Sequence, residues 1–91
     1  MNTYYNQKGV YLNMADNNVI VYSRNYCPHC VQVKKYLEEN NVAFEERNVD
    51  TNEAFMEELF NMGMRAVPVT VVGEEKILGF NTTQLKQVFN I

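Results

Sequence analysis

One junction restricts the fold more than any other feature of this chain. The β-branched and aromatic run Val19-Ile20-Val21-Tyr22 is followed, a few residues on, by Cys27-Pro28-His29-Cys30. The run reads as a buried strand. Proline has a fixed φ and no N–H, both of which suit the first position of a helix, so a helix is predicted to open at Pro28. Cys30, Val33 and Leu37 recur at helical intervals and form its inward stripe. Lys34, Lys35, Glu38 and Glu39 are expected to face water, and Asn40-Asn41 to end the helix.

Downstream, residues 43–49 read as a second strand. Asp50-Thr51-Asn52-Glu53 has the pattern of a capping box, in which a side-chain oxygen and a glutamate three residues on satisfy free helix N–H groups. Phe55, Met56, Leu59, Phe60 and Met62 then supply a broad apolar face for core packing, and Gly63 stops the helix. Residues 69–72 predict a third strand, Gly73-Glu74-Glu75 a turn, and 76–78 an antiparallel return. Asn81-Thr82-Thr83-Gln84 is a second capping box, opening a last helix with Leu85, Val88 and Phe89 on one face. The predicted order is β-α-β-α-β-β-α, an α/β fold. A strand–helix–strand unit gives a parallel pair with a right-handed crossover, and the hairpin adds antiparallel strands. The sum is a central mixed four-stranded sheet covered on both faces by three helices.

Residues 1–17 are polar and Asn-rich, with Tyr4, Tyr5 and Tyr11 scattered among them. They are expected to lie outside the core as an extension, with a short added strand near 10–12, and Met14 is a candidate alternative start. Residues 18–91 form the expected domain. Ninety-one residues suit one core. A hydrophobic fraction of 46% can fill it, and a charged fraction of 21% is ordinary for a globular chain. With 8 basic against 11 acidic side chains and no basic block, no nucleic-acid partner is expected. No apolar run approaches the roughly 20 residues that span a bilayer, so no membrane partner is expected either. The first residues lack the charged start and apolar stretch of a secretory signal, which points to the cytoplasm.

The two cysteines are the whole sulfhydryl complement. A bridge between residues three apart closes almost no loop and would constrain the unfolded chain very little. Redox chemistry is the better reason for the pair. A free thiol titrates near ~8.5, and a helix N-terminus or a Cys-x-x-Cys pairing lowers that value to roughly 3.5–7.5. Cys27 is predicted at the N-cap, where unpaired N–H groups and the helix dipole favour an anionic sulfur. Cys30, one turn further in, is predicted to be more buried. Cys27 then attacks a substrate disulfide, and Cys30 attacks the Cys27 sulfur to release the product. Inert buried thiols and half of a zinc site are the alternatives. Zinc usually takes four ligands, against two cysteines and one histidine here, and no metal is expected. His29 is either a tuner, whose protonated imidazole would stabilise the thiolate, or a plain exposed polar residue.

Read together, VIVYSRNYCPHC and the later AVPVTVVGEEKILGFN resemble the glutaredoxin branch of the thioredoxin-fold superfamily, closest to small bacterial glutaredoxin-like and NrdH-redoxin-like proteins. The likeness spans residues 19–91 and implies a thioredoxin-like fold and dithiol–disulfide oxidoreductase activity. By position, Cys27 matches the nucleophile and Cys30 the resolving cysteine. Arg24 matches a basic residue that assists the thiolate or a substrate carboxylate, and Tyr26 an aromatic beside the nucleophile. Pro68 matches the family's cis-proline, with the Val67 backbone free to pair with an extended substrate. Glutathione-using members commonly carry Gly-Gly and an acidic residue before the last helix. This chain has Gly79-Phe80-Asn81, a Gly-Phe pair like that of NrdH-type redoxins. That departure counts against glutathione, which is expected, like any other small thiol, at most as a transient reactant and not as a tightly bound cofactor.

The resemblance further implies disulfide-containing proteins as substrates, a NADPH-dependent reductase or a small thiol as electron source, ribonucleotide reductase as a candidate acceptor, and a monomer. Some relatives instead carry an iron–sulfur cluster between the Cys27-equivalent thiolates of two chains. That non-catalytic reading is the alternative, although a proline after the first cysteine disfavours it.

Overall fold

The computed structural model describes residues 19–91; the expectations for residues 1–17, including the strand near 10–12, lie outside the described residues. Seven elements follow in order: β1 (Val19–Ser23), α1 (Pro28–Glu39), β2 (Glu45–Asn48), α2 (Glu53–Asn61), β3 (Val69–Val72), β4 (Glu75–Leu78) and α3 (Thr82–Phe89). They build one four-stranded sheet in the order β2-β1-β3-β4. β1 and β2 are parallel, with Ile20 opposite Glu45 and Ser23 opposite Asn48. β3 runs antiparallel to β1, and β4 to β3. This is the thioredoxin-like architecture the sequence predicts.

Alternation along the strands sorts the core into two layers. Val19 and Val21 of β1 join Ile77 of β4, Val33 and Leu37 of α1 and Leu85 of α3. Tyr22, the residue after Val21, turns the other way and packs with Val69, Val49 and Leu59 of α2. Two helices therefore cover one face of the sheet, and a single helix covers the other.

Helix ends follow local chemistry. The last turn of α1 closes when Val42 N–H donates to Leu37 O (2.8 Å) and Asn41 N–H to Glu38 O (3.1 Å). Asn41 adopts a left-handed φ of 61° to allow it. α2 ends the same way, with Gly63 in the left-handed position and Met64 N–H donating to Leu59 O (3.2 Å). Asn81 caps α3 by accepting from Gln84 N–H (3.1 Å), as its capping pattern predicts.

Three expectations need correcting. Residues 43–49 do not all join the second strand, which is only Glu45–Asn48, a charged edge strand whose flanks Phe44 and Val49 carry the burial. Asp50 does not cap α2: Asn52 does, accepting from Ala54 N–H (2.9 Å). Asp50 stands two residues outside the helix, where its carboxylate is used for something else. Phe60, expected in the core, is 55% exposed because a single helix cannot bury all of so wide an apolar face.

Candidate active site

β1 points its C-terminal end at a four-residue loop, 24–27, that feeds α1. Cys27 is the N-cap, in extended conformation (φ -121°, ψ 99°), and Pro28 takes the first helical position. The Cys27 sulfur accepts the backbone N–H of Cys30 at 3.2 Å, while the Cys27 carbonyl accepts from Val31 N–H (3.2 Å). An N-cap oxygen normally takes that N–H, so here a sulfur occupies the position where negative charge is most favoured. The first turn of α1 carries no acidic residue to compete with it.

Cys27 and Cys30 are joined by a disulfide, with Cα atoms 5.2 Å apart. Their surroundings differ. Cys27 is half-buried and Cys30 is 1% exposed, held against the sheet by the same stripe that carries Val33 and Leu37. An incoming disulfide can meet the first sulfur and not the second.

The remaining predicted site residues divide by placement. Tyr26 has a left-handed φ of 56°, a strained position for an aromatic residue, and its ring is wholly exposed beside Cys27. His29 is exposed on the first turn. Val67-Pro68 leads into β3, which runs antiparallel to β1, so this segment lies at the sheet end from which Cys27 emerges. The Val67–Pro68 peptide is cis, and Pro68 is buried. Gly79 follows β4 at the same end and donates its N–H to Pro68 O (2.8 Å). The chain thus brings Tyr26, Cys27, Val67, Pro68 and Gly79 to one end of the sheet. Phe80 reaches elsewhere: its ring packs edge-on against Tyr36 of α1, with centroids 5.8 Å apart, and joins the two-helix core.

Arg24 is not a free cation. Its Nε lies 3.6 Å from the Asp50 carboxylate, which also accepts Asn25 N–H (2.9 Å). Asn48 binds the same loop through Nδ2 to Asn25 Oδ1 (3.1 Å) and steadies Asp50 by accepting its N–H (2.8 Å). Asn25, Asn48 and Asp50 were not legible as a unit in the sequence. One signal was available: β2 runs parallel to β1, so the residues that end it must emerge beside the loop to Cys27.

Two further polar groups brace the site from opposite faces. Behind α1, Ser23 hydroxyl (2.6 Å) and Lys34 ammonium (2.8 Å) both donate to Glu46. Lys34 first, then Ser23, hold the Glu46 carboxyl below the usual carboxylate range. So Lys34 is not simply a water-facing charge. On the α2 face, Tyr22 hydroxyl (2.9 Å) and Arg47 (2.7 Å) donate to Glu58, and Arg47 also meets Glu45 (2.6 Å). Tyr22 and Arg47 hold Glu58 below its ordinary value, burial raises the Tyr22 phenol, and Glu45 raises the Arg47 guanidinium.

The glutaredoxin family profile matches residues 19–77. The chain belongs to the glutaredoxin family. It is similar to the glutaredoxin-like protein NrdH of Lactococcus lactis subsp. lactis, 40% identical over 70 residues that cover 77% of this chain and 97% of that protein. Among solved structures, NrdH-redoxin from Escherichia coli is 30% identical with a TM-score of 0.72, covering 78% of this chain and 93% of that one. A glutaredoxin from Archaeoglobus fulgidus is 28% identical with a TM-score of 0.73, covering 86% and 91%.

A glutaredoxin-family dithiol in this geometry is a thiol–disulfide oxidoreductase, cycling Cys27 and Cys30 between two thiols and one disulfide. Among the described residues, no helix is long and apolar enough to cross a membrane.

Proposed function

We propose that this glutaredoxin reduces protein disulfides with Cys27 as the attacking sulfur and Cys30 as the resolving one, drawing electrons from a NADPH-dependent reductase in preference to glutathione. The observation that carries the reading is the helix-start hydrogen bond from Cys30 N–H to the Cys27 sulfur. In the reduced protein, the Cys27 thiolate attacks one sulfur of a substrate disulfide. A new S–S bond forms to Cys27, the substrate bond breaks, and the departing thiolate takes up a proton. Cys30 then loses its proton and attacks the Cys27 sulfur, forming the Cys27–Cys30 disulfide and releasing the second substrate thiol. Two electrons and two protons from the reductant restore the dithiol.

Val67 and Pro68 lie at the same end of the sheet as the cysteines and suit an extended segment, and the exposed Tyr26 ring offers an apolar platform next in sequence to the reacting sulfur. Gly79 supplies a backbone turn and Phe80 shapes it from within the core. His29, exposed on the first turn of α1, is the group able to modulate the thiolate directly, and Arg24 does so only when released from Asp50. The Gly79-Phe80-Asn81 loop lacks the paired glycines and acid of glutathione-using members. The solved E. coli relative is described as having a thioredoxin-like activity profile, which favours a reductase as electron source. The NrdH name of the relatives favours ribonucleotide reductase as one acceptor, and the absence of a secretory pattern in the first residues favours the cytoplasm as the compartment.

Insulin reduction tests the scheme. Turnover is expected with NADPH and thioredoxin reductase and much less with glutathione and its reductase. Cys27→Ser abolishes it, while Cys30→Ser stalls at a mixed disulfide that mass spectrometry identifies. The opposite preference of reductant, or full activity in Cys27→Ser, rejects it.

A further inference from the structure

We propose that Asp50 is a positioning residue for the exchange reaction, locking the loop that delivers Cys27 and keeping the Arg24 charge off the attacking sulfur. The proposal rests on Cys27 being the attacking group.

The loop 24–26 has little to hold it from within. It carries Tyr26 in a left-handed conformation with its ring entirely in solvent, so packing of that side chain contributes nothing to the geometry. A non-glycine residue keeps such a conformation only when neighbouring structure imposes it. What imposes it lies on the β2–α2 turn. Asp50 accepts the N–H of Asn25, the residue just before Tyr26 (2.9 Å). Asn48 ties down the Asn25 side chain (3.1 Å), and Val49 N–H donates to Ser23 O (2.9 Å), carrying the β1–β2 ladder to the last residue of β1. The Asp50 carboxylate is therefore part of a short brace running from the end of β2 to the residue two before Cys27.

The same carboxylate has an electrostatic role. Its oxygen that takes Asn25 N–H also lies 3.6 Å from Arg24 Nε. Arg24 is three residues from Cys27 and would favour the thiolate if its charge were free. The Asp50 carboxylate holds the guanidinium at the β2–α2 turn, so Arg24 is free to turn towards the sulfur only when the carboxylate charge is removed. Among the described residues, other charged or titratable side chains on the segments around Cys27 include Tyr26, His29 and, in the reduced protein, the Cys30 thiol on its own loop and helix, and Arg65 on the loop leading to Pro68.

These two roles separate experimentally. Asp50→Asn keeps an oxygen for Asn25 N–H and removes only the charge, whereas Asp50→Ala removes both. Arg24→Ala and the double variant Arg24→Ala/Asp50→Asn complete a cycle. Each reduced protein is alkylated with iodoacetamide across a pH series, reading the Cys27 adduct by mass spectrometry. Single-turnover reduction of an aromatic disulfide is followed in parallel, with thermal unfolding to confirm the fold.

In Asp50→Asn, the alkylation profile moves to lower pH by a few tenths of a unit, about two-fold in reactivity below the midpoint. Arg24→Ala alone barely moves it, and Arg24→Ala/Asp50→Asn returns it to the wild-type position. Asp50→Ala slows the single turnover about ten-fold while Asp50→Asn does not, since a misplaced reacting atom of this kind is costly. A purely structural Asp50 would change unfolding without the Arg24-dependent shift, and that result overturns the proposal. So does an Arg24→Ala effect of equal size with and without the Asp50 charge. If wild-type Cys27 is itself unreactive, the assignment of the attacking sulfur falls first and this proposal with it.

Discussion

The two faces of the sheet are finished in different ways. On the face covered by α1 and α3, Val21, Val33, Leu37, Ile77 and Leu85 are fully buried, and the polar groups are confined to a few positions. On the face covered by α2 alone, only Tyr22, Val49, Leu59 and Val69 are buried. Both layers are edged by partly buried apolar side chains, but those of the first face include the rings of Tyr36, Phe44, Phe80 and Phe89, whereas those of the second are Ile20, Phe55, Met56, Met62, Met64, Val67 and Val71. Leu78 of β4 points to this side and is 52% exposed. The first face holds Cys30 rigidly and dry. The second uses flexible methionines and a charged network, Tyr22–Glu58–Arg47–Glu45, in which Arg47 also stacks over Phe55 (5.6 Å). The difference teaches that a dithiol site needs a stiff wall on the side of its buried sulfur and can accept a looser one opposite.

The largest expected effect breaks the stiff face. Leu37→Ala should cost about 2–5 kcal/mol in urea unfolding, towards the upper end because its neighbours are themselves locked. Leu59→Ala should fall towards the lower end, since Met56, Met62 and Met64 can move into the space. Equal costs would contradict the contrast.

Next comes the one buried side-chain polar atom without a partner among the described residues, the Thr70 hydroxyl, which sits opposite Val21 and Ile77 on the stiff face. Leaving a buried hydroxyl unpaired costs about 1–3 kcal/mol. Thr70→Val should therefore stabilise the protein by a similar amount and raise its melting temperature by several degrees. A drop in melting temperature would mean that the hydroxyl is hydrogen-bonded after all, through a buried water.

Acid should then act on both faces together. Glu46 and Glu58 have folded-state pKa values below their unfolded ones. Their contributions are therefore complete above the unfolded value of roughly 4.3 and disappear as the pH falls through the folded values. Glu46→Gln should flatten the acid limb of a stability–pH curve by a surface-sized amount, about 0.2–1 kcal/mol. Adding Glu58→Gln should flatten it further. An unchanged acid limb in the double variant would assign acid unfolding to other carboxylates.

The smallest effect is expected at the loose edge. Leu78→Thr should change stability by less than about 0.5 kcal/mol, because half of the side chain already meets water. A larger loss would show that this face is tighter than the exposure of Leu78 implies.

Most of the fold was legible because its signals are local. Pro28 and the Cys30, Val33, Leu37 spacing set α1, and Asn81 with Gln84 set the start of α3. The cysteine pair was legible for the same reason, since a helix start and two sulfurs three residues apart lie within one short segment. β2 was harder. Its residues Glu45-Glu46-Arg47-Asn48 carry no apolar alternation, and they form a strand because β1 presents an unpaired edge beside them. The reading of Asp50 as a cap failed because Asp50 and Asn52 both have the chemistry of one, and only the direction of the incoming chain chose between them. Phe80 is legible in the sequence only as half of a Gly-Phe pair before the last helix, and its packing against Tyr36, 44 positions earlier, comes from the tertiary fold.

The sequence by itself determined the order of elements, the sulfur at a helix start and the family, because propensity, capping and spacing act over a few residues. Only the tertiary structure decided which polar groups meet: Arg24 with Asp50, Asn25 with Asn48, Ser23 and Lys34 with Glu46. Hydrogen bonds and ion pairs act over a few ångströms, and parallel pairing of β1 with β2 brings within that range residues that stand 12 to 26 positions apart in the chain.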